Sequence, residues 1–254
     1  MSKGKDKKMI RRIQDESRLL PWAEDPIGLR ACAAAAAYGL DGHICQFWLQ
    51  NEDTLLCRMD DTMMLCAGEH VDWEEIKGFL PLTGARVLLC REEEAEHLQL
   101  PVLVSGWVML RENVNRDPAP FCQAEENPSL RELHALLTQC ETESFRAPEF
   151  EPFYLDLSHR TRHGEAVSMG LRRGGRLIAA AFCTAKTEMM AILSGVAVLP
   201  ELRGNGFGSA VVRALQEKLC QPKQCVYRAQ SENQAFYEAL GFQDAFPFRE
   251  LSLE

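Results

Sequence analysis

The feature that most constrains the fold of this chain is a glycine-rich turn, RGNGFG at Arg203–Gly208, which joins a strand to a helix. The preceding strand is rich in β-branched residues and ends at Pro200. The three glycines of the turn let the backbone reverse and come close to a ligand. The helix begins at once, so its free N–H groups and its dipole add to the loop amides. This arrangement predicts an anion-binding site, with Arg203 as a nearby cation and Ser209 as a hydroxyl donor.

Three other phosphate-binding loops fit this turn less well. A Walker A loop requires a lysine before Ser or Thr, and the turn contains no lysine. A dinucleotide-binding loop reads GxGxxG and is followed by an acidic residue on the next strand, whereas this turn reads GxGxG and the next strand offers Arg228. A kinase loop would be accompanied by HRD and DFG sequences, which the chain lacks. A strand-to-helix turn without any ligand stays open as the alternative interpretation.

Length and composition bound the classes of function. The 254 residues can form one large domain or two smaller ones. A net charge of −9 without basic stripes argues against a nucleic-acid-binding protein. The lysine-rich start is interpreted as a solvated tail, and a nucleic-acid-binding arm is the alternative. No apolar run approaches the roughly 18 residues of a membrane span and no signal peptide is recognisable, so we expect a cytoplasmic protein without a membrane partner. The ten cysteines form no CxxC pair and the six histidines do not cluster with them, so no metal site is expected.

The order of the predicted elements indicates an α/β or α+β fold with a mixed sheet. From Val104 onwards the order is β-α-α-β-β-β-α-β-α-β, and Asn127 is the predicted N-cap of the first helix in this series. Residues 26–102 show a similar order of helix, three strands, helix and strand. We therefore divide the chain into a tail with a short helix at 1–25, an N-terminal α/β domain at 26–102 and a second domain at 103–254.

The turn also carries a resemblance to a known family. Arg203, Gly206 and Gly208 match the signature Gln/Arg-x-x-Gly-x-Gly/Ala of the GCN5-related N-acetyltransferase (GNAT) superfamily, and the order of elements from about Val104 to the C-terminus is similar. The resemblance implies a GNAT fold with acetyl-CoA as cosubstrate. It implies that the CoA pyrophosphate binds to a loop formed by Arg203, Gly204, Asn205, Gly206, Phe207, Gly208 and Ser209. It also implies that the pantetheine arm pairs, like an added strand, with the backbone of Val196, Ala197 and Val198.

A second segment supports the same resemblance. Ser231 and Gln234 form a capping-box pattern at the start of a predicted helix. Asn233 and Tyr237 are four residues apart, so they share one face of that helix, beside a buried stripe that contains Phe236. In the resembling family the asparagine contacts CoA and the tyrosine lies near the thioester sulfur. We therefore assign Asn233, Phe236 and Tyr237 to the CoA site.

The tyrosine supplies a group that acetyl transfer needs. A neutral amine attacks the thioester carbonyl and a thiolate leaves, and a tyrosine hydroxyl can protonate that thiolate as general acid. Tyr237 is therefore the predicted acid. The alternative is that Tyr237 is an amphipathic residue half-buried against the sheet.

The general base is less evident from the sequence. Glu188 is the candidate, but its register is two residues from Met190, where the base carboxylate of histone-acetylating members of the family is placed. A plain turn carboxylate is therefore the stronger interpretation of Glu188. Other candidates flank the entrance of the second strand, namely Glu165, His159 and His163. A water relay without a dedicated base also stays open.

The N-terminal half has the pattern of a degenerate copy of the same half-fold. Where a phosphate loop would lie, the chain reads GEHVD from Gly68, without a second glycine or an arginine. Glu69 and Asp72 would repel a pyrophosphate there. We expect this half to pack against the second half and to form one wall of an acceptor cleft between them, and an unrelated cap is the alternative.

These patterns together predict an enzyme that moves the acetyl group of acetyl-CoA to a primary amine of a small molecule or a peptide. A non-catalytic CoA-binding or interaction protein is one alternative. A nucleotide-binding module with a misread glycine pattern is another. The sequence predicts no nucleic-acid partner, is compatible with a homodimer, and does not identify the amine acceptor.

Overall fold

The structure is a computed structural model of the chain. It describes residues 9–112, 124–142, 145–230 and 232–254. Within these ranges, no helix combines the length and the apolar character needed to cross a membrane. The helices and strands, numbered in chain order, are β1 (Arg11–Arg12), α1 (Pro26–Tyr38), β2 (Cys45–Gln50), β3 (Thr54–Met59), β4 (Thr62–Cys66), α2 (Trp73–Phe79), β5 (Val87–Arg91), α3 (Glu92–Leu98), β6 (Val102–Glu112), β7 (Glu125–Glu126), α4 (Leu130–Gln139), α5 (Phe150–Arg162), β8 (Val167–Arg173), β9 (Arg176–Lys186), β10 (Met190–Val198), α6 (Phe207–Lys218), β11 (Lys223–Ala229), α7 (Gln234–Glu238) and β12 (Gln243–Ser252).

The chain folds as two compact units, which are described separately. The first unit comprises Met1–Trp107 and Phe246–Glu254, and the second comprises Val108–Ala245. The chain therefore passes from the first unit to the second within β6, and most of β12 belongs to the first unit. The predicted domain limits of 26–102 and 103–254 stay predictions.

The first unit is built on a mixed sheet with the strand order β1-β2-β3-β4-β5-β12. The strands from β1 to β4 pair antiparallel, β4 and β5 pair parallel, and β12 closes the series antiparallel to β5. Helix α2 connects the two parallel strands, and its Ile76 lies fully buried in the core of this unit. Asp72 caps α2 by accepting the N–H of Glu75 at 3.2 Å.

The second unit repeats this arrangement with the strand order β6-β11-β10-β9-β8-β7. The strands from β7 to β10 pair antiparallel, and β10 and β11 pair parallel through the crossover helix α6. Val211, Val212 and Leu215 of α6 are fully buried, and each such burial contributes about 1.5–3 kcal/mol. The shared strand order confirms the predicted mixed α/β fold and the interpretation of the N-terminal half as a second copy of it.

Two predicted helix starts in the second unit are wrong. Helix α4 has Ser129 as its N-cap, because Asn127 adopts a left-handed φ of 50° and its side chain accepts the N–H of Ser168 in β8 at 3.0 Å. Helix α7 begins at Gln234, because Asn233 also has a left-handed φ, of 56°. The predicted cap Ser231 lies outside the described residues.

Candidate functional site

Strands β10 and β11 diverge toward their carboxyl ends. Their parallel pairing runs from Met190 to Leu193, where Leu193 lies opposite Val226. An irregular register follows between Leu193 and Gly195, and the rest of β10 pairs with β9 alone among the described strands. Strand β11 continues to Ala229, beyond its last pairing with β10. An opening therefore forms between the carboxyl-terminal ends of the two strands.

The backbone of β10 presents polar groups to this opening. Leu199 donates its N–H to Ile178 of β9 at 3.0 Å, so alternation turns the N–H and C=O groups of Val196 and Val198 away from β9. The C=O of Val198 accepts Nε of Arg203 at 3.2 Å and the thiol of Cys140 at 3.3 Å. No strand of the described residues pairs with Val196 on the open side, so its backbone groups can receive an extended ligand.

The loop after β10 is exposed and conformationally suited to bind an anion. Gly204 and Gly206 have φ values of 77° and 80°, which non-glycine residues rarely adopt, and each has open space on the side where a Cβ would lie. Gly206 is the N-cap of α6 and no side chain caps this helix, so the N–H groups of Phe207, Gly208 and Ser209 stay available to a ligand.

Two side chains brace the same loop. The side-chain amide of Asn205 donates to the carbonyl oxygens of Leu202 and Arg203, both at 3.1 Å. The guanidinium of Arg203 is exposed and is tied to the end of β10 through Val198. These contacts hold the exposed turn in a fixed shape, which is a condition for a preformed anion site.

Helix α7 contacts the start of α6. A Cβ added at Gly208 would lie 3.2 Å from the ring of Phe236 and 3.5 Å from a methyl group of Val198. The strand end, the first turn of α6 and α7 therefore converge at Gly208, where a side chain would crowd the aromatic ring. This contact brings Phe236 to the predicted CoA loop, a placement that sequence periodicity alone could not show.

The next residue, Tyr237, is buried, with 8% of its surface exposed. Its ring makes edge-to-face contacts with Phe236 and Phe242, at centroid distances of 5.0 and 5.9 Å. Burial raises the pKa of Tyr237 to about 12, and the carboxylate of Glu232 adds to the shift. The phenol is therefore in its protonated, proton-donating form throughout the neutral pH range.

The prediction that Asn233 and Tyr237 share one helix face is wrong. Asn233 is exposed and precedes α7 in a left-handed conformation, so the two side chains do not lie on one helix face. The carbonyl of Asn233 instead accepts the N–H of Tyr237 at 3.1 Å. The two residues are thus linked through the backbone at the start of α7.

Glu188 lies away from these groups. It is exposed in the turn between β9 and β10, beside the amino end of β10, where Met190 pairs with Lys223 at the start of β11. The glycine loop and α7 follow the opposite ends of the same two strands. The structure therefore does not bring Glu188 together with Tyr237, and its role as base stays a prediction.

The other base candidates lie at the end of α5. The rings of His159 and His163 contact each other at a centroid distance of 4.2 Å, and Nδ1 of His163 bonds the carbonyl of His159 at 2.8 Å. Glu165 follows in the connection to β8. The contacts between His159 and His163 lie within the end of α5, and they give none of these residues a role in proton transfer.

The sequence of the second unit matches a known family model. Residues 130–242 match the model of the acetyltransferase (GNAT) family. The second unit contains a GNAT domain. No curated protein matches the sequence of the chain.

Solved structures extend the likeness to both units of the chain. A tandem GNAT protein from the clavulanic acid biosynthesis pathway is similar with a TM-score of 0.62 at 12% identity, covering 96% of this chain and 98% of that one. A GCN5-related N-acetyltransferase from Sphaerobacter thermophilus gives 0.63 at 12% identity, covering 96% and 95%. A Drosophila protein gives 0.66 at 13% identity, covering 97% and 99%. At these identities the likeness shows the fold, which is a GNAT fold in the second unit and a GNAT-like fold in the first.

The first unit has a carboxylate where the GNAT domain has its opening. The parallel pairing of β4 and β5 ends at Met64, opposite Leu89. Just beyond β4, the N–H of Ala67 donates to Oε1 of Glu94 at 2.6 Å, and the N–H of Arg91 donates to Oε2 at 2.7 Å. Glu94 is 4% exposed, and burial raises its pKa to about 7.

The connection from β4 to α2 is also filled from within the first unit. A Cβ added at Gly68 would lie 2.3 Å from the carboxyl carbon of Asp53, and that carboxylate accepts the N–H of His70 at 3.2 Å. Gly68 donates its own N–H to the hydroxyl of Thr54 at 2.9 Å. These amides have partners within the protein, unlike the free first-turn amides of α6.

Proposed function

We propose that the second unit transfers the acetyl group of acetyl-CoA to a primary amine. The observation that carries the proposal is the opening between β10 and β11, which leads directly to the uncapped N-terminus of α6. The open strand edge can pair with an amide-containing arm of a ligand, and the adjacent helix N-terminus can bind a pyrophosphate attached to that arm. The matched GNAT family model supports the same ligand.

The chain's residues take the following parts in binding. The amides from Gly204 to Ser209 hold the pyrophosphate, and Arg203 adds a positive charge beside them. The backbone N–H and C=O of Val196 and the N–H of Val198 pair with the pantetheine amides across the open edge of β10, since the C=O of Val198 already accepts from Arg203 and Cys140. Asn233 and Phe236 border the arm where α7 meets the loop, since Phe236 packs against Gly208.

Tyr237 acts as the general acid in this proposal. The amine nitrogen forms a bond to the thioester carbonyl carbon, the bond from carbon to sulfur breaks, and the leaving thiolate takes a proton from the tyrosine hydroxyl. The pKa of about 12 keeps that proton on the hydroxyl until the thiolate develops. The excess proton of the amine passes either to the predicted base Glu188 or to a water relay. The exposed position of Glu188, away from Tyr237, favours the water relay.

An acceptor screen with acetyl-CoA tests the proposal. Release of CoA thiol is measured over a panel of amines, with wild type, Tyr237→Phe and Tyr38→Phe as the matched tyrosine control in the first unit. We expect Tyr237→Phe to lower kcat on the order of a hundredfold or more, and its affinity for acetyl-CoA to stay unchanged. Equal activity of Tyr237→Phe and wild type would show that the tyrosine is structural.

Calorimetry separates binding from catalysis. We expect acetyl-CoA to bind in a ratio of about one per chain, because in the first unit the amides of Gly68 and His70 already have partners within the protein and the connection is acidic. Binding without turnover across the panel would support a non-catalytic CoA-binding protein. Absence of any heat or thermal shift with acetyl-CoA would overturn the proposal as a whole. The cytoplasmic location and the homodimer stay predictions.

A further inference from the structure

A buried arginine stands at the point where β11 leaves the sheet. The side chain of Arg228 is 3% exposed and makes polar contacts in three directions. One terminal nitrogen donates to the carbonyl oxygens of Ala229 and Gln230, at 3.4 and 3.2 Å. The other donates to both carboxylate oxygens of Asp244, at 3.1 and 3.2 Å. Its Nε lies 3.3 Å from the sulfur of Met109.

These contacts tie together the two ends of the segment that carries α7. Ala229 and Gln230 lead into the segment, and Asp244 lies at the start of β12, just after it. Inside the segment, the N–H of Tyr237 donates to the carbonyl of Asn233. The carbonyl of Tyr237 accepts the N–H of Phe242 at 3.0 Å. Fixing both ends of the segment therefore fixes the position of the tyrosine between them.

The cost of burial argues that Arg228 does more than fill space. Removing a guanidinium from water is expensive, and a buried ion pair often contributes no more stability than apolar residues of the same size. Helix α7 has five residues, and a helix of this length has little stability of its own. An external clamp is the means by which so short a helix can hold a side chain in one place.

We propose that Arg228 is a positioning residue for the acetyl transfer, and that with Asp244 it clamps the segment of α7 so that the hydroxyl of Tyr237 faces the thioester. The inference rests on the proposed function of the second unit. Arg228 does not touch the substrate; it acts through the two ends of the segment.

The clamp makes a specific demand on the side chain at position 228. Lysine keeps a positive charge beside Asp244, but its single ammonium group cannot also hold the carbonyls of Ala229 and Gln230 in the geometry of a planar fork. In Arg228→Lys, water gains access to the segment and Tyr237 becomes better solvated. Its pKa, which burial raises to about 12, then falls toward the ordinary value.

The experiment compares Arg228→Lys and Asp244→Asn with Arg160→Lys. Arg160 is a matched control in the same unit, because its side chain is also 3% exposed and it pairs with Asp156 of α5 at 2.7 Å. Tyr237 is titrated by NMR of 13C-labelled tyrosine, with Tyr237→Phe to assign its signal. For the two clamp variants we expect a lower pKa of Tyr237, a kcat lowered on the order of tenfold to a hundredfold, and an unchanged KM for acetyl-CoA. Arg160→Lys should lower thermal stability and leave the pKa of Tyr237 unchanged.

A double-mutant cycle decides whether the arginine acts through the tyrosine. In a Tyr237→Phe background, Arg228→Lys should cause little further loss of kcat, since the group that it positions is already absent. An additive loss would overturn the inference, as would a clamp variant that loses stability while the pKa of Tyr237 and kcat stay at wild-type values. If wild type transfers no acetyl group, the proposed function fails, whereas the titration still shows whether Arg228 holds Tyr237 in its buried position.

Discussion

The two strand-to-helix connections of this chain occupy the same place in the strand order and have opposite properties. In the second unit, the connection from β10 to α6 contains two glycines with positive φ and one arginine, and it leaves the first amides of the helix free. In the first unit, the connection from β4 to α2 contains Glu69 and Asp72, and Asp72 caps the helix itself. The same architecture thus leaves the first amides of the helix uncapped in one unit and forms a carboxylate-rich turn with internal hydrogen-bond partners in the other.

The parallel strands show the same contrast. Beyond Leu193 the open edge of β10 has no partner strand among the described residues, whereas beyond β4 the N–H of Ala67 is satisfied by Glu94. A buried N–H without a partner costs about 1–3 kcal/mol, so a unit that binds no ligand there gains from an internal acceptor. In our proposal, bound CoA in the second unit and the Glu94 carboxylate in the first are alternative partners for the backbone groups that the diverging strands leave unpaired.

The largest effect is expected from giving the second unit the acidic character of the first. We expect Gly206→Asp to weaken acetyl-CoA binding roughly a thousandfold, or by about 4 kcal/mol. A φ of 80° costs a non-glycine residue about 1–2 kcal/mol, and the new carboxylate would repel the pyrophosphate. Isothermal titration calorimetry with acetyl-CoA measures the loss.

Gly175→Asp is the matched control for this substitution. Gly175 has the same φ of 80° and also has open space where a Cβ would lie, but it sits in the turn between β8 and β9. Both variants should lose a similar amount of thermal stability, and only Gly206→Asp should lose affinity. Wild-type affinity of Gly206→Asp would mean that this loop does not bind the pyrophosphate.

The next effect comes from removing the internal acceptor of the first unit. We expect Glu94→Ala to lower the free energy of unfolding by about 3 kcal/mol, because the partly buried N–H groups of Ala67 and Arg91 both lose their partner. Glu93 lies exposed in the same first turn of α3, so Glu93→Ala is the matched control and should change stability little. Urea unfolding measures both, and equal losses would contradict the role given to Glu94.

A smaller effect concerns pH. Burial raises the pKa of Glu94 from 4.5 to about 7, so the folded protein binds its proton more tightly than the unfolded chain does. The stabilisation from this proton is fully present below the unfolded pKa and is lost as pH rises through about 7. We expect the contribution of Glu94 to the free energy of unfolding to fall by about 1–2 kcal/mol between pH of about 5 and 7. Glu94→Gln should remove this contribution to the pH dependence of stability. Unfolding curves at several pH values test it, and an identical slope in the variant would refute the assignment.

Local patterns predicted much of the site from the sequence. The glycine loop and the start of the helix that follows it depend on residues close together in the chain, and turn chemistry reports on such neighbours. The same local reasoning failed at Asn127. Its side chain bonds to Ser168, far away in the sequence, and no nearby pattern reveals that partner.

The remaining features depend on tertiary contacts. The opening after Leu193 follows from the register between strands, and the packing of Phe236 on Gly208 follows from how α7 returns to α6. Three consecutive acidic residues open α3, and only the folded structure shows that Glu94, rather than Glu92 or Glu93, is the one buried.

The smallest effect compares the side-chain amides that brace the two connections. Asn205 donates to two carbonyls of the glycine loop, and Asn51 of the first unit donates to the carbonyl of His70 at 2.5 Å in the connection from β4 to α2. We expect Asn205→Ala to weaken acetyl-CoA binding about fivefold, or by about 1 kcal/mol, because the loop loses part of its preorganisation. Asn51→Ala should lower stability and leave the affinity unchanged, since our proposal places CoA in the second unit alone. Competition binding with a fluorescent CoA resolves a difference of this size, and a loss of affinity in Asn51→Ala would show that the first unit takes part in CoA binding after all.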